Sequence, residues 1–200
     1  IVLADGLYQR DIIELAQRLE LDFDTTYLTP SPDGIGEYYG SGGSTETDHK
    51  QGVDKVLARI PDWEVMVTPG QVLSRFQPHH QQLVLDKVKA GAGLVIIDPE
   101  QASPQAELSP LLNRGDMVRG LNEKTSPHWR KTKEHFITAG VPFDILPPTD
   151  VYKYDVAEGA TVLATAEGLP LAAVRKYGKG RVVARSEEHT SELQSHLKLV

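Results

Sequence analysis

Acidic side chains follow two apolar runs in the first half of the chain. Asp5 comes directly after residues 1–4, and Asp98 follows the continuous apolar run 94–97, with Glu100 two residues further on. Open α/β sheets bind ligands beyond the carboxyl ends of their strands, so carboxylates at these positions could hold a sugar hydroxyl, a cation or a proton that is transferred. Acids after strands also cap the helix or loop that follows, which is the structural alternative.

A second group of candidates surrounds His135. His128 and Trp129 lie just upstream, where they could line a pocket for an anionic or sugar ligand. The same stretch contains Arg130, Lys131 and Lys133. Tyr38, beside the Gly-Ser segment 40–44, could stack on a sugar. The structural alternatives are that His135 ends a helix, bonded to backbone, and that Tyr38 lies in a disordered loop.

The chain offers no evident nucleophile or metal site. It contains no cysteine, and it lacks the Gly-x-Ser-x-Gly elbow, so Ser44 is interpreted as a loop serine. His79 and His80 are adjacent and cannot face one metal ion from a helix. We expect no metal and no cofactor, and enzymatic activity is left open. Residues 177–180 lack the spacing of a phosphate-binding loop and predict a hairpin turn. The solvated face of that hairpin is predicted to carry Arg175, Lys176, Lys179 and Arg181.

Strand-like and helix-like segments alternate through the first half of the chain. Composition predicts strands at 1–4, 23–29, 63–68 and 94–97. Apolar periodicity predicts helices at 12–19, 48–60 and 76–90. The polar, glycine-rich residues 34–47 predict a loop. This alternation favours a parallel sheet with helices on both faces.

The second half of the chain favours antiparallel hairpins. A proline-rich connection at 143–149 precedes four β-like runs, at 151–154, 161–166, 171–174 and 181–184. Glycine-containing turns separate the last three of these runs. The sequence therefore predicts an antiparallel extension on a parallel core.

Three segments carry a resemblance to a known family. They are HHQQLVLDKVKAGAGLVIID at 79–98, HFITAGVPFDILPP at 135–148 and GLPLAAVRKYGKGRVVA at 168–184. Together they resemble the class I glutamine amidotransferase-like superfamily, particularly its trehalose-utilisation (ThuA)-like proteins and the amidotransferase-like domains attached to bacterial β-galactosidases. Phe136 stands where the family's second segment usually has proline.

The resemblance implies an α/β fold of the flavodoxin-like type, a three-layer sandwich with a mostly parallel sheet and a C-terminal antiparallel β-hairpin extension. Because the superfamily's amidotransferases use a cysteine, it implies no glutamine hydrolysis by that route. We expect a non-catalytic or degenerate amidotransferase-like domain of a larger bacterial protein, serving packing, assembly or ligand binding. The alternative is a ThuA-like enzyme or sugar-binding protein of carbohydrate metabolism. It would use Asp5, Asp98, Glu100 and His135.

The end of the chain differs in character from the rest. Residues 185–195, RSEEHTSELQS, match the translation of a common sequencing-library adapter. We therefore expect a native, truncated domain at 1–184 and a non-native tail at 185–200, as in a metagenomic fragment. The first residue is not Met and lies in an apolar run, so native residues are expected before it.

Composition limits the partners. A formal net charge of −7 disfavours nucleic acid and anionic membranes, and no apolar run approaches the roughly 20 residues of a membrane span. The expected partners are a small-molecule or carbohydrate ligand and the neighbouring domains of the parent protein. No signal peptide is visible, which slightly favours the cytoplasm, although the expected loss of the natural start leaves the location open.

Overall fold

The computed structural model describes residues 2–5, 25–29, 37–40, 58, 60–74, 76–100, 105–118, 129–142 and 150–186. The strands in these ranges are β1 (Val2–Asp5), β2 (Thr25–Thr29), β3 (Glu37–Gly40), β4 (Val65–Pro69), β5 (Gly93–Ile97), β6 (Leu111–Leu112), β7 (Met117–Val118), β8 (Trp129–Lys131), β9 (Val151–Tyr152), β10 (Asp155–Val156), β11 (Thr161–Ala166), β12 (Leu169–Tyr177) and β13 (Gly180–Arg185). The α-helices are α1 (Gly70–Ser74), α2 (Pro78–Ala90) and α3 (Gln105–Leu108). A 3-10 turn spans Ile60–Asp62.

Nine of the described strands form one mixed sheet, in the order β3-β2-β1-β4-β5-β13-β12-β11-β8. The neighbours from β2 through β1, β4 and β5 to β13 are parallel. The pairs β2-β3, β13-β12, β12-β11 and β11-β8 are antiparallel. Two small two-stranded sheets, β10-β6 and β7-β9, complete the described strands.

The flavodoxin-like sandwich with a mostly parallel sheet, expected from the resemblance, is wrong. The structure is mostly β, with a mixed sheet and only short helices in the described part. The reason is the position of β13, which pairs in parallel with β5 in the middle of the sheet. The hairpins β11-β12 and β12-β13 therefore belong to the main sheet and do not extend a finished parallel core.

Helix α2 follows the rules of its sequence and packs on the sheet. Pro78 lies in its first turn, where the missing N–H is not needed, and Gly91 ends it with φ 140°. Val84 and Val88, four residues apart, are buried on one face. The predicted helix at 76–90 is thus confirmed, two residues shorter at its start.

The hydrophobic core lies between the sheet and the helices that cover it. Its largest cluster contains Trp63, Met66, Val72, Leu73, Phe76, Val84, Val88, Leu94, Ile96, Leu108 and Val182. Strand β5 contributes every second residue, the pattern of a strand with one fully buried face. At Gly180 the backbone of β13 approaches the end of α2 so closely that a Cβ would lie 2.1 Å from the Val88 carbonyl oxygen. Only glycine fits there without displacing main chain.

Several sequence predictions have other outcomes. β3 lies inside the segment 34–47, for which a loop was expected. The helix expected at 12–19 lies outside the described residues, as does most of the helix expected at 48–60. β13 runs to Arg185, and the buried Ser186 donates its backbone N–H to the Leu171 oxygen at 2.7 Å. The sheet thus continues past the expected boundary at residue 184; residues 187–200 lie outside the described part. No helix among the described residues is long and apolar enough to cross a membrane.

Candidate functional site

The carboxyl ends of the parallel strands meet at one edge of the sheet. Pro69 pairs with Ile97, and Ile97 with Arg185, so β4, β5 and β13 end together. The N–H of Asp98, directly after β5, donates to the Arg185 carbonyl at 2.8 Å. Asp98 has φ 55°, a left-handed conformation that aspartate tolerates better than most residues, so the chain turns sharply here.

Arg114 links the two predicted carboxylates at this edge. Its guanidinium lies 3.5 Å from Asp98 Oδ2 and 3.8 Å from Glu100 Oε1. The guanidinium also stacks on the Tyr152 ring, with Cζ 3.6 Å from the ring centre. Burial acts to lower the pKa of Arg114, but the charge of Asp98 and the two tyrosines at the edge outweigh it, and the pKa is raised. Arg114 therefore stays a fixed cation between two anions.

Tyr154 and Ser74 engage the remaining carboxylate oxygens. The buried Tyr154 hydroxyl donates to the Pro99 carbonyl at 3.0 Å and to Asp98 Oδ1 at 3.3 Å. Burial raises the pKa of Tyr154 most, and the charge of Asp98 raises it further, so it stays a protonated donor. Ser74 donates to Glu100 Oε2 at 3.1 Å. Each of the four carboxylate oxygens thus lies beside a cation or a hydroxyl donor, as in a polar network that stabilises the fold.

The other carboxyl-edge and aromatic candidates have different positions. Asp5 ends β1, and the pairing of Val2 with Val67 places it at the same edge as Asp98; its side chain lies outside the described part. Tyr38 is in β3 at the sheet margin, not in a loop, and its side chain is likewise undescribed. Trp129 is in β8.

The Trp129 side chain packs against the cluster of Val151, Ala164, Ala166 and Leu171, so it is a core residue. His128 lies outside the described residues.

His135 lines a cleft of about 560 Å³ toward the opposite edge of the sheet. The cleft walls are formed by Lys133, His135, Glu158, Gly159, Thr161, Val174, Arg175, Lys176 and Arg181. Lys176 and Arg181 are cross-strand partners beside the β12-β13 turn, and Arg181 also pairs with Gly93, the first residue of β5. The structure therefore places His135 away from Asp98 and Glu100, at the amino ends of the parallel strands.

The segment that carries His135 is held by its own hydrogen bonds. The buried Thr138 donates its hydroxyl to the carbonyls of His135, at 3.1 Å, and Lys133, at 3.3 Å. The N–H of Ile137 donates to His135 Nδ1 at 3.3 Å. In the neutral imidazole, Nδ1 is thus the acceptor and Nε2 carries the proton, so His135 offers an N–H donor.

Positive charge dominates this cleft. Lys133, Lys176 and Arg181 oppose one carboxylate, that of Glu158, in a chain whose net charge is −7. Arg175 also borders the cleft, but it is the cross-strand partner of the buried Val182, and its Nη1 donates to the Glu107 carbonyl at 3.2 Å. Its guanidinium therefore lies at α3, on the opposite face of the sheet from Lys176 and Arg181. A concave surface with convergent donors of one charge sign attracts ligands of the opposite sign. The arrangement suits a small anion.

Comparison with known proteins identifies the family. The family model described as "Domain of unknown function (DUF7408)" matches residues 54–190. The chain belongs to the DUF7408 family. Both the Arg114 network and the basic cleft fall inside the DUF7408 match. No curated protein matches the chain.

Two solved structures resemble the DUF7408 chain over nearly all of its length. The cytoplasmic protein STM3548 from Salmonella typhimurium has a TM-score of 0.55 and 16% identity, covering 94% of this chain and 87% of its own. The cytoplasmic protein STM1381 from Salmonella typhimurium LT2 has a TM-score of 0.51 and 17% identity, covering 94% and 88%. At such identities the likeness concerns the fold alone.

The expected identification as an amidotransferase-like, flavodoxin-like protein is corrected by these findings. The family supported by a model match is DUF7408, and the structure is mostly β. Within the described residues, the three segments that carried the resemblance are structural units: a helix followed by a strand, the turn at 136–140 and a hairpin. Such units recur in many folds, so they do not determine a family.

Sequence reasoning missed the residues that organise both sites. Arg114 and Tyr154 carried no local signal, because their role depends on contacts with Asp98 across the fold. Lys176 and Arg181 are exposed on the hairpin, as expected, but the sequence did not indicate that they also line a cleft. Their close spacing around a predicted hairpin turn was the available signal, since residues 176 and 181 become neighbours once the hairpin forms. Among the described residues, no group of three His, Asp or Glu side chains is placed to hold a metal ion.

Proposed function

We propose that the DUF7408 domain is a non-catalytic binding domain that takes a small anionic ligand in its basic cleft. The observation that carries this proposal is the convergence of three cationic side chains, those of Lys133, Lys176 and Arg181, and the His135 N–H donor on one cleft of a chain that is acidic overall. The ligand class is a phosphate ester or a carboxylate of metabolite size, because the cleft volume falls within the usual range of about 300–1,000 Å³ for small-molecule sites.

The state of the strand-end carboxylates supports a non-catalytic role. A general base must be close to the substrate proton and not already engaged. Asp98 and Glu100 instead contact Arg114, Tyr154 and Ser74 at the edge of the sheet. The chain also has no cysteine to act as a nucleophile. A role of this domain in assembly with neighbouring domains of a larger protein also stays a prediction.

The extent of the positive surface favours a small ligand over a polymer. A protein that binds nucleic acid neutralises a row of phosphates with a stripe of Lys and Arg. Here the lining cations are confined to one cleft, and Glu158 shares its wall. Such a site has room for one or two anionic groups. The overall charge of −7 repels a longer polyanion.

The test is a calorimetric titration with pyrophosphate. We expect the double substitution Lys176→Gln and Arg181→Gln to weaken binding at least about tenfold, since a hydrogen bond to a charged group contributes about 1.5–3 kcal/mol. The matched control is Arg130→Gln with Lys153→Gln, which removes the same charge from exposed positions outside the cleft. Absent binding to the unaltered protein, or equal weakening by the control, would refute the proposal.

A further inference from the structure

An exposed aromatic ring stands at the rim of the basic cleft. Phe136 follows the lining residue His135, and 69% of its surface is exposed, the highest fraction among the large apolar residues of the described part. Exposing a phenylalanine to water forgoes burial that would stabilise the fold. A ring left in that position at a binding cleft is suited to contact something that arrives with the ligand.

The ring is held by two residues that line the cleft. The His135 and Phe136 ring centres are 4.5 Å apart with an interplanar angle of 34°. The Arg181 guanidinium carbon lies 6.0 Å from the Phe136 ring centre. The bonds of Thr138 and Ile137 to His135 hold the turn that carries the ring. Phe136 therefore lies beside His135 and Arg181, in a turn that is fixed by hydrogen bonds.

We infer that the ligand joins a phosphate to a planar heterocyclic ring, as in a nucleoside phosphate. This inference rests on the proposed function and specifies its ligand. The phosphate takes donors from Arg181, Lys176 and His135 Nε2, while the heterocycle stacks on Phe136. Phosphate binding by Arg and Lys is charge-assisted, and stacking of a base on an aromatic side chain adds further affinity.

The cleft also has features that suit the sugar between these two groups. Thr161 and Glu158 lie on its wall and provide a hydroxyl and a carboxylate for ribose hydroxyls. Gly159, with φ 73°, has no atom within 4 Å of the position of a Cβ, so the wall is open at that point. One carboxylate beside three cations suits a ligand with both anionic and hydroxyl groups.

The test compares adenosine monophosphate with ribose phosphate, which has the same anion and sugar but no ring, by calorimetric titration of the full chain. We expect adenosine monophosphate to bind about tenfold more tightly, in line with the contribution of one stacked base. Phe136→Leu, which keeps an apolar side chain without an aromatic face, should abolish this preference, so that the variant binds the two ligands equally well. Val141→Ala, at an exposed apolar position five residues further along, is the control and should not change the affinity for either ligand.

Each outcome separates the inference from the proposed function. Equal affinity of the unaltered protein for the two ligands would overturn the inference and leave an anion site in place, and this comparison needs no variant. A preference that survives in Phe136→Leu would also overturn it. If neither ligand nor pyrophosphate binds, both the inference and the proposed function fail.

Discussion

Arg114 is the residue that neutralises the acidic edge of the sheet. It is the cation common to Asp98 and Glu100, and Asp98 has only 13% of its side chain exposed. Arg114→Gln would leave these carboxylates facing each other without a counter-charge. We expect it to lower the free energy of unfolding by about 2 kcal/mol, between the contribution of an exposed ion pair and the loss on breaking a buried one. Urea denaturation measures this, with Arg130→Gln on the exposed β8 strand as control. Equal effects of the two substitutions would contradict the account.

Tyr177 gives the fold a dependence on alkaline pH. Its hydroxyl donates to Glu107, and this hydrogen bond, more than burial, raises the pKa of Tyr177 from 10.0 to about 12. A tyrosine whose pKa is higher in the folded state contributes stability that is present below pH 10.0 and is lost as the pH rises toward about 12. In Tyr177→Phe, the fall in unfolding free energy over this range should be shallower. Denaturation curves collected across it would disprove the prediction if the slope were unchanged.

The candidate residues divide by whether their signal is local. Asp98 and Glu100 were found because they follow an apolar run, and His135 because it lies in a distinctive segment. Arg114 acquires its role only when the chain brings it to Asp98. Contacts of this kind arise from the packing of distant segments, so no spacing in the sequence encodes them. The placement of His135 and Asp98 at opposite edges of the sheet likewise follows from the fold and is not encoded in the spacing of the sequence.

At the scale of elements, the close contact between α2 and β13 depends on Gly180. A Cβ there would lie 2.1 Å from the Val88 oxygen and 2.4 Å from the Ala92 oxygen, both main-chain atoms that cannot turn aside. Gly180→Ala must therefore separate the helix from the strand, and we expect a loss of about 1–3 kcal/mol, as for other overpacked sites.

Gly168→Ala is the comparison for that substitution, because its φ of 81° is unfavourable but the space around it is open. It should cost about 1–2 kcal/mol from backbone strain alone, without disturbing the helix contact. Thermal unfolding and amide hydrogen exchange of α2 distinguish the two. Unchanged protection of α2 in Gly180→Ala would show that the contact is not as tight as the structure places it.

Long elements could be predicted from the sequence, and short ones could not. The runs that became β4, β5, β11, β12 and β13 are apolar over several residues, and each was predicted within a few residues of its observed bounds. The two-residue strands such as β6 and β7 are too short to show alternation. Strand order also lies beyond local pattern: nothing within β13 indicates that it pairs with β5, and this one pairing made the expected fold class wrong.

Across the whole molecule, charge is unevenly distributed: the chain is acidic, but one cleft is basic. The chain carries −7, yet its described cleft gathers three cations, Lys133, Lys176 and Arg181. Because the cleft is open to solvent, its attraction for an anion is screened once the Debye length falls to a few ångströms. We expect the dissociation constant for pyrophosphate to rise several-fold as sodium chloride increases from about 0.05 M to about 0.5 M. An affinity that does not change with salt would show that charge is not what binds the ligand.

Anion binding in the basic cleft is best tested by finding which residues a bound anion contacts. Amide-resolved NMR spectra of the full chain, recorded during titration with pyrophosphate, report which residues contact the anion. If the anion binds in the cleft, the largest changes in amide chemical shift should fall on residues 133–138, on Thr161 and on the two strands around Lys176 and Arg181. Shifts concentrated at Asp98 and its neighbours instead, or no shifts at all, would contradict it.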